Sequence, residues 1–213
     1  RIAANSTTIL YLLPKIVETF RRHHPEVKLS LHNAITADGT DLLRNDAADL
    51  VVGSLFDVPA DLSYQAVYRF EHMLILPPGH PLADTAQLSL ADIGAHPLIL
   101  PPRRLVTWRL VDRMFEQQRV PYTVGLEVGG WEVIKQYVAM GMGISVVPAL
   151  CLDADDTRRL VVRPVGPLFP ARTYGVAVRR GRPLSSQARA FIEMIQPDLF
   201  APRLYDQPGH SER

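Results

Sequence analysis

The stretch VIKQYVAMGMGISVVP, residues 133–148, decides how the rest of the chain is read. An amphipathic helical pattern runs into two glycines, Gly141 and Gly143, and then into a short apolar run closed by Pro148. A dinucleotide-binding turn needs G-x-G-x-x-G between a strand and a helix, in that order. Here the third position is Val146 and the order is helix then strand, so the fingerprint is absent. GISVV is no nucleophile elbow either, because the second glycine of G-x-S-x-G is missing. The residues describe a joint: Gly141 supplies the left-handed residue that ends the helix, and Gly143 lets the next strand turn in tightly.

Outward from this joint the same alternation recurs. PLILP (97–101) reads as a strand, and Leu105, Trp108, Val111, Met114 and Phe115 form a helical stripe. YTVGLEV follows as a strand, WEVIKQYVAM as a helix and GISVVP as the closing strand. Near the start, RIAA is a strand and Leu13, Ile16, Val17 and Phe20 recur at helical spacing up to HHP. Val27, Leu29 and Leu31 alternate as in a strand, a short helix is expected around GTDLLRND, and ADLVVGS has the apolar run of a strand buried on both faces. This is a repeat of architecture, not of sequence, and it implies two α/β lobes. YRFEHMLILPPGHPLA, a single strand-like run ending in two prolines and a turn, joins them. After the second lobe come two further strands and SSQARAFIEMI, a helix with Ser185 or Ser186 as cap and Phe191, Ile192 and Ile195 on one face. The expected division is residues 1–71 plus 172–200 for the first lobe, 75–166 for the second, and a loose tail over 201–213.

Composition bounds the function. The 213 residues carry 23 basic against 22 acidic side chains, so no global field draws the chain to nucleic acid or an anionic membrane. No run approaches the length of a membrane helix, and no basic-then-apolar leader opens the chain. It begins inside a strand without an initiator methionine, as expected of a fragment or a processed product. The single cysteine, Cys151, excludes an intrachain disulfide and fits a reducing compartment; as a side chain it reads as a small buried hydrophobe. Three of the seven histidines (His24, His80, His96) precede prolines, and no histidine, cysteine and carboxylate set has metal spacing.

The polar turns after the strands are more informative. Asn5, Ser6, Thr7 and Thr8 stand where the first strand gives way to the first helix, at the strand end where open α/β sheets bind ligands. Free backbone N–H groups and the positive end of the helix dipole suit an anion there, although plain helix capping by one hydroxyl explains the residues too. The corresponding turn of the second lobe, PPRRLVTW, carries Arg103, Arg104 and Thr107; these arginines serve equally well as solvated surface charges. VGGWE places Gly130 and Trp131 at the start of another helix, and VVGSL places Ser54 after a strand. Such turns hold a small anion with hydroxyls and backbone donors but offer no general base, nucleophile or cofactor cradle. No catalytic residue, metal or cofactor is therefore expected.

YLLPKIVETFRRHHPEVKLSL, ADLVVG, HMLILPPGHPLA and EVIKQYVAMGMGISVVPA, in that order, resemble the effector-binding domain of LysR-type transcriptional regulators. The wording VIKQYV is similar to the subgroup that regulates sulfur assimilation. The resemblance spans residues 1 to about 195 and implies a periplasmic-binding-protein-like fold of type 2. In that fold two Rossmann-like lobes, joined by two crossover strands, enclose a small effector. It implies effector contacts at Ser6, Thr7, Thr8 and Thr107, with Ser54 and Gly130 beside them. It further implies a bacterial, cytoplasmic, homo-oligomeric regulator that reaches DNA only through an N-terminal winged helix-turn-helix absent from this chain. Antiparallel dimers in such families would bring residues 13–22 against 106–118, with strands 27–32 and 123–128 nearby. The competing reading on the same fold is an extracytoplasmic solute-binding protein, which a signal peptide upstream would betray; an enzyme on this scaffold would need a turnover that no motif suggests.

Overall fold

A computed structural model describes residues 1–34, 36–55, 57–197 and 199. In chain order its strands are β1 (Ile2–Ala4), β2 (Leu31–Asn33), β3 (Leu50–Gly53), β4 (Leu62–Phe70), β5 (His72–Leu76), β6 (Pro97–Leu100), β7 (Thr123–Glu127), β8 (Ser145–Pro148), β9 (Val161–Pro164) and β10 (Arg172–Arg179). The α-helices are α1 (Leu13–His23), α2 (Thr36–Arg44), α3 (Leu90–Gly94), α4 (Val106–Gln118), α5 (Trp131–Ala139), α6 (Asp156–Arg159) and α7 (Ser186–Ile195). A π-helical turn, Thr8–Leu12, runs directly into α1. Two compact units result, Arg1–Tyr68 together with the chain from Tyr174 on, and Arg69–Thr173. Both boundaries fall inside strands, β4 and β10.

In the first unit the sheet order is β2-β1-β3-β10-β4. β1 runs parallel to β2 and to β3, with Ala4 opposite Asn33 on one side and Val52 on the other. A central parallel strand is covered on both faces, so its residues need no polar alternation. Ile2, Ala4, Leu50, Val52, Val176 and Val178 pack with Phe20 of α1 and Phe191, Ile192 and Ile195 of α7. Ala3, Val51 and Ala177, one residue out of step, pack with Leu43 of α2 on the other face. The rings of Phe20 and Phe191 meet edge to face at 5.1 Å. Each such fully buried side chain contributes roughly 1.5–3 kcal/mol over its exposed state. Ser185 caps α7 by accepting from the N–H of Ala188 at 3.1 Å.

The second unit repeats the plan. β8-β5-β9 form one ladder and β6-β7 another. A parallel bridge between Leu98 and Ile144 links them: Ile144 N–H donates to Pro97 O at 3.0 Å and Ile99 N–H to Ile144 O at 2.8 Å. The resulting order, β7-β6-β8-β5-β9, matches β2-β1-β3-β10-β4 position for position. Leu74, Leu98, Leu100, Val111, Phe115, Ile144, Val146 and Phe169 form its core.

The joint between α5 and β8 is built as its glycines require. Gly141 has φ +79°, its N–H bonds to Val138 O, and Met142 N–H reaches back to Tyr137 O at 3.2 Å, the paired bonds of a Schellman end. A Cβ on Gly143 would stand 2.5 Å from Pro97 O, so only glycine lets this segment bridge to β6.

Three expectations change. The strand anticipated over 27–32 is only Leu31–Asn33, because Ile2 pairs with Leu31 and residues 27–30 have no ladder partner among the described residues; Val27 and Leu29 still pack against the first core. The run around YRFEHMLIL is two strands, parted at Glu71. Helix α2 starts ahead of the GTDLLRND segment, at Thr36. The tail over 201–213 lies outside the described residues.

Candidate functional site

At the carboxyl end of β1 the chain turns at Asn5 into a helix. Asn5 Oδ1 accepts from the Thr8 N–H at 2.9 Å and from the Thr8 hydroxyl at 3.1 Å. Thr8 is fully buried. These two side chains therefore satisfy each other as a helix cap, the simpler of the two roles open to them. Ser6 is exposed and its hydroxyl accepts from Asn33 Nδ2 at 3.0 Å, which ties the turn to the end of β2. Thr7 sits half-buried in the first helical turn. Ser54, buried, follows the last residue of β3, whose carbonyl accepts from Tyr64 Oη at 3.1 Å. The strand register thus gathers Asn5–Thr8, Asn33 and Ser54 at the carboxyl ends of three adjacent strands. Asn33 was missed in the sequence, since only its pairing opposite Ala4 reveals it.

In the second unit β6 ends at Leu100 and α4 begins at Val106. Leu105, at the flank, has no side chain that caps the helix, so the turn lacks the side-chain acceptor that Asn5 gives the first unit, and the helix dipole keeps its positive end there. Thr107 is 1% exposed, and its Oγ1 has no hydrogen-bond partner among the described residues. Buried hydroxyls are nearly always bonded, so this one marks where a ligand acceptor would be welcome. Arg103 is exposed, with its guanidinium 5.1 Å above the Trp108 ring; Arg104 is exposed as well. Beside this turn, Val128 N–H donates to Leu100 O at 3.0 Å. Gly130 then enters α5 with φ +89°, and Trp131 is buried as the first residue of that helix. Arg103, Thr107, Gly130 and Trp131 accordingly share the carboxyl edge of the β6–β7 pair.

Below Trp131 lies a charge cluster that the sequence did not announce. Lys135 is 1% exposed between Ile134 and Val138. Its Nζ donates to Asp156 Oδ2 at 2.7 Å and to Cys151 O at 2.9 Å, and stands 2.6 Å from Glu132 Oε1. Asp156, equally buried, also accepts from the Asp153 N–H and pairs with Arg159 at 2.8 Å. Desolvation pulls the Lys135 pKa down, but the bonds to Asp156 and Glu132 outweigh it and hold the ammonium above its ordinary value. Desolvation would raise Asp156, yet Lys135, Arg159 and the Asp153 N–H hold it below the usual carboxylate value. Cys151 is buried and its thiol pushed up by desolvation, so it is no nucleophile. The only hints in the sequence were a lysine one turn after Trp131 and the acidic run DADD, residues 153–156.

Among the described residues no group of three or more histidine, cysteine or carboxylate side chains could hold a metal ion, and no helix is long and apolar enough to cross a membrane. A groove of about 600 Å³ in the first unit opens beside Ile2, His24, Lys28 and Asp49, at the amino end of β1 and so opposite the polar turn.

Residues 1–199 match the family model described as LysR substrate binding domain. The HTH-type transcriptional regulator SsuR of Burkholderia cenocepacia is 32% identical over 199 residues, which cover 93% of this chain and 65% of that protein. The crystal structure of the cofactor-binding domain of the Cbl transcriptional regulator shares the fold with a TM-score of 0.85 at 28% identity, covering 93% of this chain and 87% of that one. The regulatory domain of CcmR from Synechocystis PCC6803, solved in complex with 2-PG, gives a TM-score of 0.82 at 27% identity over 94% and 97% of the two chains. The chain thus spans about two thirds of the length of the curated relative SsuR.

Proposed function

The chain belongs to the family of LysR substrate binding domains, and on that premise we propose that its polar turns bind a small anionic effector and that binding is relayed to DNA-binding domains elsewhere in a full-length regulator. Each unit offers donors of its own. In the second unit these are the Thr107 hydroxyl and the uncapped first turn of α4, with Arg103 at the rim and Gly130 and Trp131 alongside. In the first they are Ser6, Thr7 and Ser54, while Asn5 and Thr8 shape the turn. The observation that carries this reading is the buried, unpartnered hydroxyl of Thr107 at a helix start with no cap of its own.

The VIKQYV stretch resembles the subgroup that regulates sulfur assimilation, and the likeness to SsuR and Cbl supports that reading, so sulfur oxyanions are the first effectors to try. Because the relatives are transcriptional regulators, a cytoplasmic, non-enzymatic regulator is favoured over a transport protein. The mechanism is linkage: an effector that prefers one conformation shifts the population toward it, and a coupling of about 1–3 kcal/mol changes DNA affinity about fivefold to 150-fold. Assembly as an antiparallel dimer through α1 and α4 is part of the same proposal.

A thermal-shift screen with sulfate, other sulfur oxyanions, amino acids and aromatic carboxylates tests it, repeated with Thr7→Ala and Thr107→Ala. An anion at a hundred times its Kd should stabilise the domain by about 2.7 kcal/mol. Anion affinity that survives unchanged in both variants would remove these turns from the site, and silence across all four classes would remove the anionic effector.

A further inference from the structure

We infer that Lys135 is a positioning residue for the effector site of the second unit: its buried ion pair with Asp156 fixes α5 to the segment after β8 and thereby holds Gly130 and Trp131 in place. The inference rests on the proposed role of the turns that begin α4 and α5, and gives a task to a residue that touches no effector.

α5 starts without a side-chain cap among the described residues. Its flanking residue is Gly130, at a positive φ. A glycine start gives the backbone conformational latitude, so contacts further along the helix help to set the direction of its first turn. Lys135 lies four residues after Trp131 and so on the same face, one turn on. A Lys ammonium has three donors, and here three oxygens stand around it: Asp156 Oδ2, Cys151 O and Glu132 Oε1. Asp156 is saturated in turn by the Asp153 N–H and Arg159.

The segment thus tethered, residues 149–156, leaves the end of β8. In the matching order of the two sheets β8 occupies the place of β3, and the residue that leaves β3 is Ser54. Lys135 therefore joins the α5 start to the part of the second unit that corresponds to the Ser54 turn of the first. Such a pair adds little net stability over an apolar pair of the same size, because desolving two charges offsets their attraction. What an apolar pair lacks is direction. A point charge held by three oxygens admits one placement of the helix, whereas methionine against leucine tolerates sliding.

The variant that separates direction from stability is Lys135→Met with Asp156→Leu, studied in the full chain labelled with 5-fluorotryptophan. The chain has two tryptophans, so fluorine NMR reads Trp131 with Trp108 as internal reference, assigned by Trp108→Phe. The double variant should melt close to the wild type, shift and broaden the Trp131 resonance, leave Trp108 sharp, and weaken binding of the sulfate probe about twofold to thirtyfold. A folded double variant with an unmoved, sharp Trp131 line overturns the inference, whatever sulfate does. If the double variant does not fold, Asp156→Asn takes its place, and an unmoved, sharp Trp131 line in that variant overturns the inference equally. Where the wild type binds no sulfate at all, the fluorine spectrum still decides on Lys135, and only the binding role of the turns falls.

Discussion

Thr107→Val is the substitution with the most unusual expected sign. It exchanges a hydroxyl for a methyl of similar shape at a position that is 1% exposed, where the hydroxyl has no partner among the described residues. Burying a hydroxyl without a bond costs about 1–3 kcal/mol on mutational scales, and the valine escapes that cost. For a domain of this size each kcal/mol moves Tm by about 2–4 °C. The variant without ligand should therefore melt about 2 °C higher at the low end and about 12 °C higher at the high end. With an anion present the sign reverses, because a hydrogen bond to a charged group is worth about 1.5–3 kcal/mol. That is a loss of roughly tenfold to 150-fold in affinity. Thr8→Val is the control: the same exchange at a fully buried position removes a real bond to Asn5 and should lower stability by about 1 kcal/mol. Differential scanning fluorimetry reads the stabilities and titration calorimetry with sulfate reads the affinities. If Thr107→Val lowers Tm and leaves anion affinity intact, the hydroxyl is bonded within the protein and its assignment to the site fails.

Lys135→Met alone strands a buried carboxylate that keeps, among the described residues, Arg159 and the Asp153 N–H; the expected cost is about 3 kcal/mol, the low end for breaking such a pair, or about 6–12 °C in Tm, measured by calorimetric unfolding. The pH dependence of the same pair has a defined window. The Asp156 pKa lies below its unfolded value of 3.8, so its contribution is whole above about pH 4 and is lost as pH falls through the depressed pKa. The Lys135 pKa lies above its unfolded value of 10.5, so its contribution is whole below about pH 10 and is lost as pH rises through the raised pKa. The Tm gap between wild type and Asp156→Asn should stay flat from about pH 5 to pH 9 and narrow below pH 4; a gap that widens on acidification refutes the sign. Gly143→Ala would press a methyl to 2.5 Å from Pro97 O and should cost about 1–3 kcal/mol, read by urea unfolding, whereas Ala at Gly53, where a Cβ meets nothing within 4 Å, should cost less.

The fold was legible because its central strands carry signals that are local in the chain. IAA and LVVG are buried at every position, as apolar runs without alternation should be, and the glycine of the joint is demanded by the helix end that it closes. What escaped the reading depends on partners distant in sequence. Residues 27–30 alternate like a strand, yet pairing is decided by how far β1 extends, not by the alternation itself. Asn33 joins the polar edge only through its register with Ala4. Nothing local in the sequence marks Lys135 as buried. Its partner stands 21 residues further on, and hydropathy cannot distinguish a lysine facing water from one facing a buried carboxylate.

The candidate site shows the same division between local and distant information, with a consequence for which of the two turns holds an anion more tightly. Both first turns carry threonines at a helix start, so in the sequence they looked equivalent. They differ in the residue at the flank. Asn5 stands three residues before Thr8 and takes both its N–H and its hydroxyl. Leu105 stands two residues before Thr107 and can take neither. An anion approaching the first turn competes with a cap already in place, while one approaching α4 meets a helix start with no side-chain cap and a hydroxyl with no partner among the described residues. On the proposed reading, the α4 turn is then the stronger of the two anion-binding turns. Thr107→Ala should accordingly weaken anion binding more than Thr7→Ala, and the reverse ranking in titration calorimetry would show that the capped turn, not the uncapped one, is the anchor.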